Sequence, residues 1–221
     1  MSSLSSSLNS VEGFHTTFSS NVTIRDPRDI YGCSLSLFYR LPPRIFVDPY
    51  ELANYASHYS FKLWGTTNLE LPVTAVSQDG SAILLSVDTS DTFTSGKASV
   101  SIDLPLHARY GALDQPTIIE IPDPTGFWVC PKTSHSLRPI PEVPSEVAAS
   151  FNMSSSIFKL VDKDSLTPAA ILHTPVGHLA DSSQVEIATS AVVLLGFFYL
   201  LYIAAHTASN ISKRHQHAKV E

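Results

Sequence analysis

Cysteine, glycine and charge are scarce in this sequence, and each scarcity excludes a class of protein. Two of 221 residues are cysteine, Cys33 and Cys130, and neither has a second Cys or His at the close spacing that zinc fingers use. The nine glycines form no G-x-G-x-x-G or P-loop pattern, which excludes a nucleotide-phosphate cradle of those types. Charged residues make up 15% of the chain and form no basic block, which argues against nucleic acid as a partner.

Signatures of catalysis and metal binding are also missing. There is no G-x-S-x-G elbow and no Cys-centred motif. The nine histidines are scattered, and the basic tail explains the one close pair, His215 and His217, so the sequence predicts no metal ligands and no cofactor. Asp48 and Glu51, in DPYEL, are the one tight acidic pair near aromatic residues, but a helix cap explains Asp48 more simply than catalysis does.

The stretch LPLHARYG places His107, Arg109 and Tyr110 within four residues. In an extended strand His107 and Arg109 point to one face and Tyr110 to the other. Three interpretations stay open: a hydrogen-bonded structural role, a polar contact with a partner or the membrane surface, and catalysis by His107. Catalysis is disfavoured because no activated nucleophile accompanies the histidine.

One long apolar run determines the class of the protein. The run IATSAVVLLGFFYLLYIAA, residues 187–205, carries no charge. About 19 helical residues at roughly 1.5 Å each span close to the 30 Å of bilayer hydrocarbon. We therefore predict one transmembrane helix at 185–205, followed by a basic tail at 206–221. A buried core helix is the weaker alternative, because such helices are usually shorter or carry a polar stripe.

The flanks of this run indicate its orientation. Lys213, Arg214 and Lys219 follow it, whereas Asp181 and Glu186 precede it. The positive-inside rule then places the C-terminus in the cytosol and the bulk of the chain in the lumen, as in a single-pass type I protein. The first twenty residues show no basic n-region followed by an apolar stretch, so a tail-anchored protein with a cytosolic bulk stays open.

Two glycosylation acceptor sequences and the pair of cysteines suit a lumenal glycoprotein. Asn21 and Asn152 begin N-x-S/T acceptor sequences in polar surroundings. Cys33 and Cys130 are either one long-range disulfide or two buried thiols, and an oxidising lumen favours the bond. In the loop-entropy model, closing a span of about a hundred residues stabilises by roughly 4–5 kcal/mol.

The organisation of the remaining chain indicates an all-β protein. Residues 1–24 are Ser-rich and predicted to be a disordered leader. Residues 25–135 break into short apolar runs separated by turn residues, which predicts a lumenal β-sandwich-like domain. Residues 136–184 are expected to hold a last strand, SSSIFKLVD, and a Pro/Ser-rich juxtamembrane connector. The runs are CSLSLFYRL, SHYSFKLWG, LPVTAVSQDG, SAILLSVDTS, ASVSIDLPL, PTIIEIPD and GFWVCP.

Several short motifs, taken in order and with the terminal helix, resemble the PIG-X family and its fungal counterparts. The resemblance covers residues 28–205, and each motif alone is short. The motif residues are Leu41-Pro42-Pro43, Phe46-Val47-Asp48-Pro49-Tyr50-Glu51-Leu52, Pro105-Leu106-His107-Ala108-Arg109-Tyr110, Pro124 with Phe127-Trp128-Val129-Cys130-Pro131, and Pro175-Val176-Gly177.

This resemblance implies a function. Members of the family are non-catalytic subunits of glycosylphosphatidylinositol (GPI) mannosyltransferase I in the endoplasmic reticulum membrane. Their catalytic partner, the multispanning PIG-M subunit, transfers the first mannose from dolichol-phosphate-mannose to glucosaminyl-phosphatidylinositol. The family's type I topology agrees with the charge asymmetry. A lumenal chaperone-like binding module with broader clients remains the alternative.

Overall fold

Short strands dominate the regular structure of this computed structural model. It describes residues 2–65, 71, 75–76, 78–87, 89, 99–115, 117–131, 145–151, 156–164 and 169–217. Its α-helices are α1 Pro49–Ala53, α2 Ser145–Ala148 and α3 Ser182–His217, and short 3-10 helices lie at Pro27–Ile30 and Leu179–Asp181. Its strands are β1 Ser2–Leu8, β2 His15–Ile24, β3 Ser34–Leu41, β4 Ile45–Phe46, β5 Tyr59–Gly65, β6 Ser81–Val87, β7 Ser99–Ala108, β8 Thr117–Ile121, β9 Thr125–Pro131, β10 Ser156–Leu160, β11 Asp162–Lys163 and β12 Ala170–Thr174.

The strands form two five-stranded sheets and one two-stranded sheet. The first sheet has the order β11-β1-β2-β7-β4 and the second has the order β10-β9-β3-β6-β5. Strands β12 and β8 pair separately. Neighbouring strands are antiparallel except β1 and β11, which run parallel.

The two large sheets share one hydrophobic core. Phe18 and Leu104, which are opposite each other on β2 and β7, belong to the same buried cluster as Leu37 and Leu85 of the second sheet, and all four are fully buried. Alternation of buried and exposed residues along β2 and β7 is typical of strands with one face on a core. The all-β sandwich fold and the single C-terminal apolar helix, both predicted from the sequence, are confirmed.

Strand β3 lies at the centre of the second sheet and is buried on both faces. Its residue Phe38 belongs to a second, smaller cluster with Phe127 and Phe158, and Val147 of α2 packs on this cluster. Burial of this second face explains why the apolar Phe38 interrupts the alternation of polar and apolar residues that β3 otherwise shares with β7.

The prediction of a disordered leader at 1–24 is wrong. Strands β1 and β2 occupy this segment, and Leu4, Phe18 and Val22 lie in the core. Its serines fit because they are small and their hydroxyls find partners: the Tyr39 hydroxyl donates to Ser20 Oγ at 3.0 Å. The high serine content of this segment therefore concealed that every second residue of its strands faces the core.

The predicted boundaries at 135 and 184 are also wrong. The compact β unit runs from Met1 to Val176. Strand β10, the predicted last strand, pairs with β9, and β12 follows it and pairs with β8. Within the segment expected to be a connector, Ala170, Leu172 and Thr174 alternate inward, so this stretch is held in the fold as a strand.

Residues 177–221 form a second unit, which contains α3. The segment Leu179–Ile211 includes a window of mean hydropathy 2.2 and, by length and composition, can cross a membrane. The helix is longer than the predicted 185–205. It begins at Ser182 and continues through part of the predicted tail to His217.

Candidate functional site

Three strands of the first sheet bring the site together. His107 lies near the end of β7, directly opposite His15 of β2 on one side and Phe46 of β4 on the other. Residues directly opposite in antiparallel strands present their side chains to the same face of the sheet. The three rings therefore form a row across the sheet, with the His15 and His107 centroids 4.7 Å apart.

Helix α1 places a carboxylate on this row. Asp48 caps the helix because its Oδ1 accepts a hydrogen bond from the Tyr50 N–H at 2.8 Å, and Pro49 occupies the first turn. Leu52 is fully buried and anchors the short helix to the core. Glu51 then lies over the sheet. Its Oε2 is 2.7 Å from His107 Nε2, and its Oε1 is 3.2 Å from His15 Nε2.

Arg109 packs on Phe46, one of the three rings of the row. The Phe46 ring stacks on His107 with centroids 5.2 Å apart, and the Arg109 guanidinium lies 4.5 Å from the Phe46 centroid. Arg109 is 5% exposed and donates through Nη1 to the Leu71 carbonyl at 2.6 Å. Burial lowers the pKa of its guanidinium. Arg109 thus packs on an aromatic face and binds backbone.

The proline motif and Tyr110 frame the site. The Ile45 N–H donates to the Pro42 carbonyl at 2.9 Å, which forms the turn between β3 and β4. The carbonyl of Arg44, two residues after Pro42, accepts a hydrogen bond from the Arg109 N–H at 2.8 Å. Tyr110 lies beyond the end of β7 and stacks on Phe14 with centroids 5.7 Å apart.

Cys33 and Cys130 form a disulfide in the structure. The two residues lie at the neighbouring ends of β3 and β9, which pair through Ser34 and Val129. The bond therefore links adjacent strands of one sheet, although 97 residues separate the cysteines in sequence. Beside it in the same strand, Trp128 is buried and its Nε1 donates to Ser2 Oγ at 2.9 Å.

The remaining predicted residues lie away from this row. Asn21 is exposed on β2, whereas Asn152 falls outside the described residues. Pro175 follows β12, and Gly177 begins the second unit. Within the run LPVTAVSQDG, residues 72–74 and 77 fall outside the described residues, and the described ones form turns where a strand was predicted.

The chemistry of the row is that of two imidazoles sharing one carboxylate. Glu51 is the side-chain hydrogen-bond partner of both His15 and His107, and in the part of the chain that the structure describes no serine or cysteine side chain hydrogen-bonds to His107. The potential ligand atoms of these three residues lie within 4.8 Å of one another. Sequence reasoning missed His15, because it lay in the supposed leader. The alternation of HTTFSSNVTI was the pattern that could have revealed its strand.

Together, the fold and the site define a β-sandwich domain joined to an apolar helix, with a polar row whose members bind one another. The family model described as PIG-X / PBN1 matches residues 11–205. The chain belongs to the PIG-X / PBN1 family, and the resemblance seen in its motifs is confirmed.

Curated relatives of the chain come from fungi. Protein pbn1 of Schizosaccharomyces pombe is 30% identical over 178 residues, covering 76% of this chain and 50% of that protein. Protein pbn1 of Emericella nidulans is 25% identical over 236 residues, covering 94% of this chain and 44% of that protein. The chain thus spans about half the length of these relatives. The solved structure of BcpA, the major pilin subunit of Bacillus cereus, matches at 10% identity and a TM-score of 0.37 over 78% of this chain and 40% of that chain, and it supports no conclusion here.

Proposed function

We propose that the chain is a non-catalytic, stabilising subunit of GPI mannosyltransferase I in the endoplasmic reticulum membrane. In this role it binds a PIG-M-like multispanning subunit, which transfers the first mannose from dolichol-phosphate-mannose to glucosaminyl-phosphatidylinositol. The β domain lies in the lumen, α3 crosses the membrane once, and the C-terminus is cytosolic. Membership of the family supports the pathway, while the partner, the orientation and the stabilising role are parts of the proposal.

One observation carries the non-catalytic part. The polar side chains of the motifs are engaged within the domain: Asp48 caps α1, Glu51 holds His107, and Arg109 binds a backbone carbonyl. A catalytic acid or base must itself lie within hydrogen-bond reach of the substrate group to or from which it transfers a proton. These contacts instead fix a helix and three strands relative to one another, as expected of residues that build a rigid binding surface.

The stabilising role has a simple physical basis. A protein that binds only the folded form of a partner raises the stability of that form by mass action. A multispanning enzyme of low stability is then degraded more slowly as a larger fraction of it is bound to this chain. A loss of about 1–2 kcal/mol of stability is enough to change cellular abundance several-fold.

Depletion of this chain from cells tests the proposal. We expect the half-life of the multispanning mannosyltransferase subunit in a translation-arrest chase to fall several-fold. Glucosaminyl-phosphatidylinositol should accumulate at the same time, and re-expression of the chain should restore both. Normal partner abundance and normal mannosylation in depleted cells would contradict the proposal.

The alternative functions give different results in the same cells. Affinity purification in mild detergent should recover one multispanning protein in fixed ratio, whereas a spread of immature secretory proteins would indicate a general chaperone-like module. An enzyme using His107 would instead show transfer activity in the purified chain that disappears in His107→Gln while the fold survives.

A further inference from the structure

The row across the first sheet has the donor atoms of a metal site. We propose that His15, Glu51 and His107 bind one Zn²⁺ ion through the Nε2 atoms of both histidines and the Glu51 carboxylate, with the fourth position open to solvent. Two histidines and one glutamate form a ligand set that zinc accepts in proteins. This proposal does not depend on the function proposed above, and the sequence alone gave no indication of it.

The separations between the donor atoms suit tetrahedral zinc. Zinc-to-nitrogen and zinc-to-oxygen bonds of about 2.0–2.2 Å place neighbouring ligand atoms about 3.4 Å apart. Glu51 Oε1 lies 3.2 Å from His15 Nε2, and Glu51 Oε2 lies 2.7 Å from His107 Nε2. One ligand atom from each of the three residues lies within 4.8 Å of the other two. Rotation of the carboxylate and a small tilt of the exposed imidazole bring them around one ion.

The three ligands stand on elements that are already fixed. His15 and His107 are an opposed pair on hydrogen-bonded strands, so their backbones cannot separate without breaking the sheet. Glu51 is held by the Asp48 cap and by the buried Leu52. Such preorganisation lowers the cost of assembling a metal site, because little conformational freedom is lost on binding.

The surroundings permit entry of an ion and favour zinc among divalent cations. The His15 side chain is 55% exposed, whereas those of Glu51 and His107 are 27% and 28% exposed, so one side of the site is open to water. Two imidazole nitrogens suit zinc much better than calcium or magnesium, which prefer oxygen ligands. The Arg109 guanidinium packs on the Phe46 ring and donates through Nη1 to the Leu71 carbonyl.

Metal analysis of the full-length chain in detergent tests the site. Because His215 and His217 could bind zinc independently, every protein carries His215→Gln and His217→Gln. After chelator treatment and dialysis against Zn²⁺, we expect a single equivalent of zinc per chain and a raised Tm. Co²⁺ in place of Zn²⁺ should give the visible absorption band of a tetrahedral site with imidazole ligands.

His15→Gln is the decisive variant, because the side chain is mostly exposed and glutamine can still donate to Glu51. Its zinc affinity should fall by more than about 100-fold, since even outer-shell partners of zinc ligands are worth about 10–100-fold. His58→Gln, which changes an exposed histidine outside the row, is the matched control and should retain zinc. Absence of bound zinc in the parent, or full retention of zinc and of the cobalt band in His15→Gln, would overturn the proposal.

Discussion

At the scale of single residues, burial determines which polar groups the fold can accommodate. Tyr39 is fully buried, and its hydroxyl donates to Ser20 Oγ at 3.0 Å. Ser20 is itself fully buried on β2, and its Oγ lies 3.4 Å from Ser6 Oγ. A small hydroxyl network therefore lies inside the sandwich, where each member depends on the others for its hydrogen bonds.

This network predicts a sensitivity to alkaline pH. Burial raises the pKa of Tyr39 well above its ordinary value of about 10. Above that ordinary value the unfolded chain loses the phenolic proton while the folded chain keeps it, so the free energy of unfolding falls as pH rises. The hydroxyl thus stabilises the fold at neutral pH, and an ionisation penalty appears only in alkali.

Tyr39→Phe separates these two effects. Near neutral pH the variant should be less stable by about 0.5–1.5 kcal/mol, because a buried hydrogen bond is lost. Above pH of about 10 the difference should shrink, by up to about 1.4 kcal/mol per pH unit. Chemical denaturation of both proteins at neutral and alkaline pH measures the difference. Tyr31→Phe, which alters a side chain that is 82% exposed, is the control and should change stability little. A constant difference between Tyr39→Phe and the parent at all pH values would contradict the account.

At the scale of elements, the amino-terminal strands test the corrected fold. Phe18 is fully buried on β2, whereas Val11, between β1 and β2, is 55% exposed. If β2 is a core strand, Phe18→Ala should lower the free energy of unfolding by about 3–5 kcal/mol. Val11→Ala in the same segment should change it by less than about 0.5 kcal/mol.

Thermal unfolding of both variants in the full-length chain measures this contrast, and amide hydrogen exchange across residues 15–24 gives an independent readout. Strong protection of the β2 amides in the parent, and its loss in Phe18→Ala, is the expected pattern. Equal stability of the two variants, with unprotected β2 amides, would restore the interpretation of this segment as a disordered leader.

The sequence predicted those elements whose pattern is carried by large apolar residues. Strands β3, β5, β6, β8 and β10 each fall within a predicted run, and β7 and β9 extend beyond theirs by two residues and one residue, because Val, Ile, Leu and aromatic residues mark these strands. Strands β1 and β2 were missed because most of their residues are serine, threonine or asparagine, and the few core residues lie two positions apart. Strand β4 is only two residues long, which is too short for any periodicity.

The site was predicted in part for the same reason. The cap at Asp48 and the shared face of His107 and Arg109 follow from local geometry, which the sequence contains. The contact of Glu51 with His15 and His107 depends on which strands are neighbours, and strand order is not encoded in local pattern. Glu51 and His15 are 36 residues apart, so only the tertiary fold reveals the row.

At the scale of the whole molecule, the chain consists of a β unit and a helical unit. The β unit, Met1–Val176, contains the core, the disulfide and the polar row, and α3 belongs to the unit Gly177–Glu221. A disulfide is typical of oxidising compartments and rare in the cytosol. Together with the basic residues that follow the apolar run, this supports the proposed lumenal position of the β unit.

The orientation also predicts where glycan can be attached. Asn21 is exposed on β2 within its acceptor sequence, and only lumenal sequons meet the transferase. We therefore predict that a lumenal β unit is glycosylated at its two acceptor sequences, Asn21 and Asn152. The double variant Asn21→Gln, Asn152→Gln is the matched control. It should lack any glycosidase-sensitive shift in electrophoretic mobility that the parent shows.

Protease protection in sealed microsomes tests the central claim, that the β unit lies in the lumen, where it can stabilise a glycosyl-transferring partner. The experiment uses a chain with an epitope at each end. We expect protease to remove the C-terminal epitope and to leave a protected fragment that contains the β unit. Once the membranes are opened, the glycan on this fragment should be sensitive to glycosidase. Digestion of the β unit in intact microsomes, with the C-terminal epitope protected or the chain unglycosylated, would contradict it.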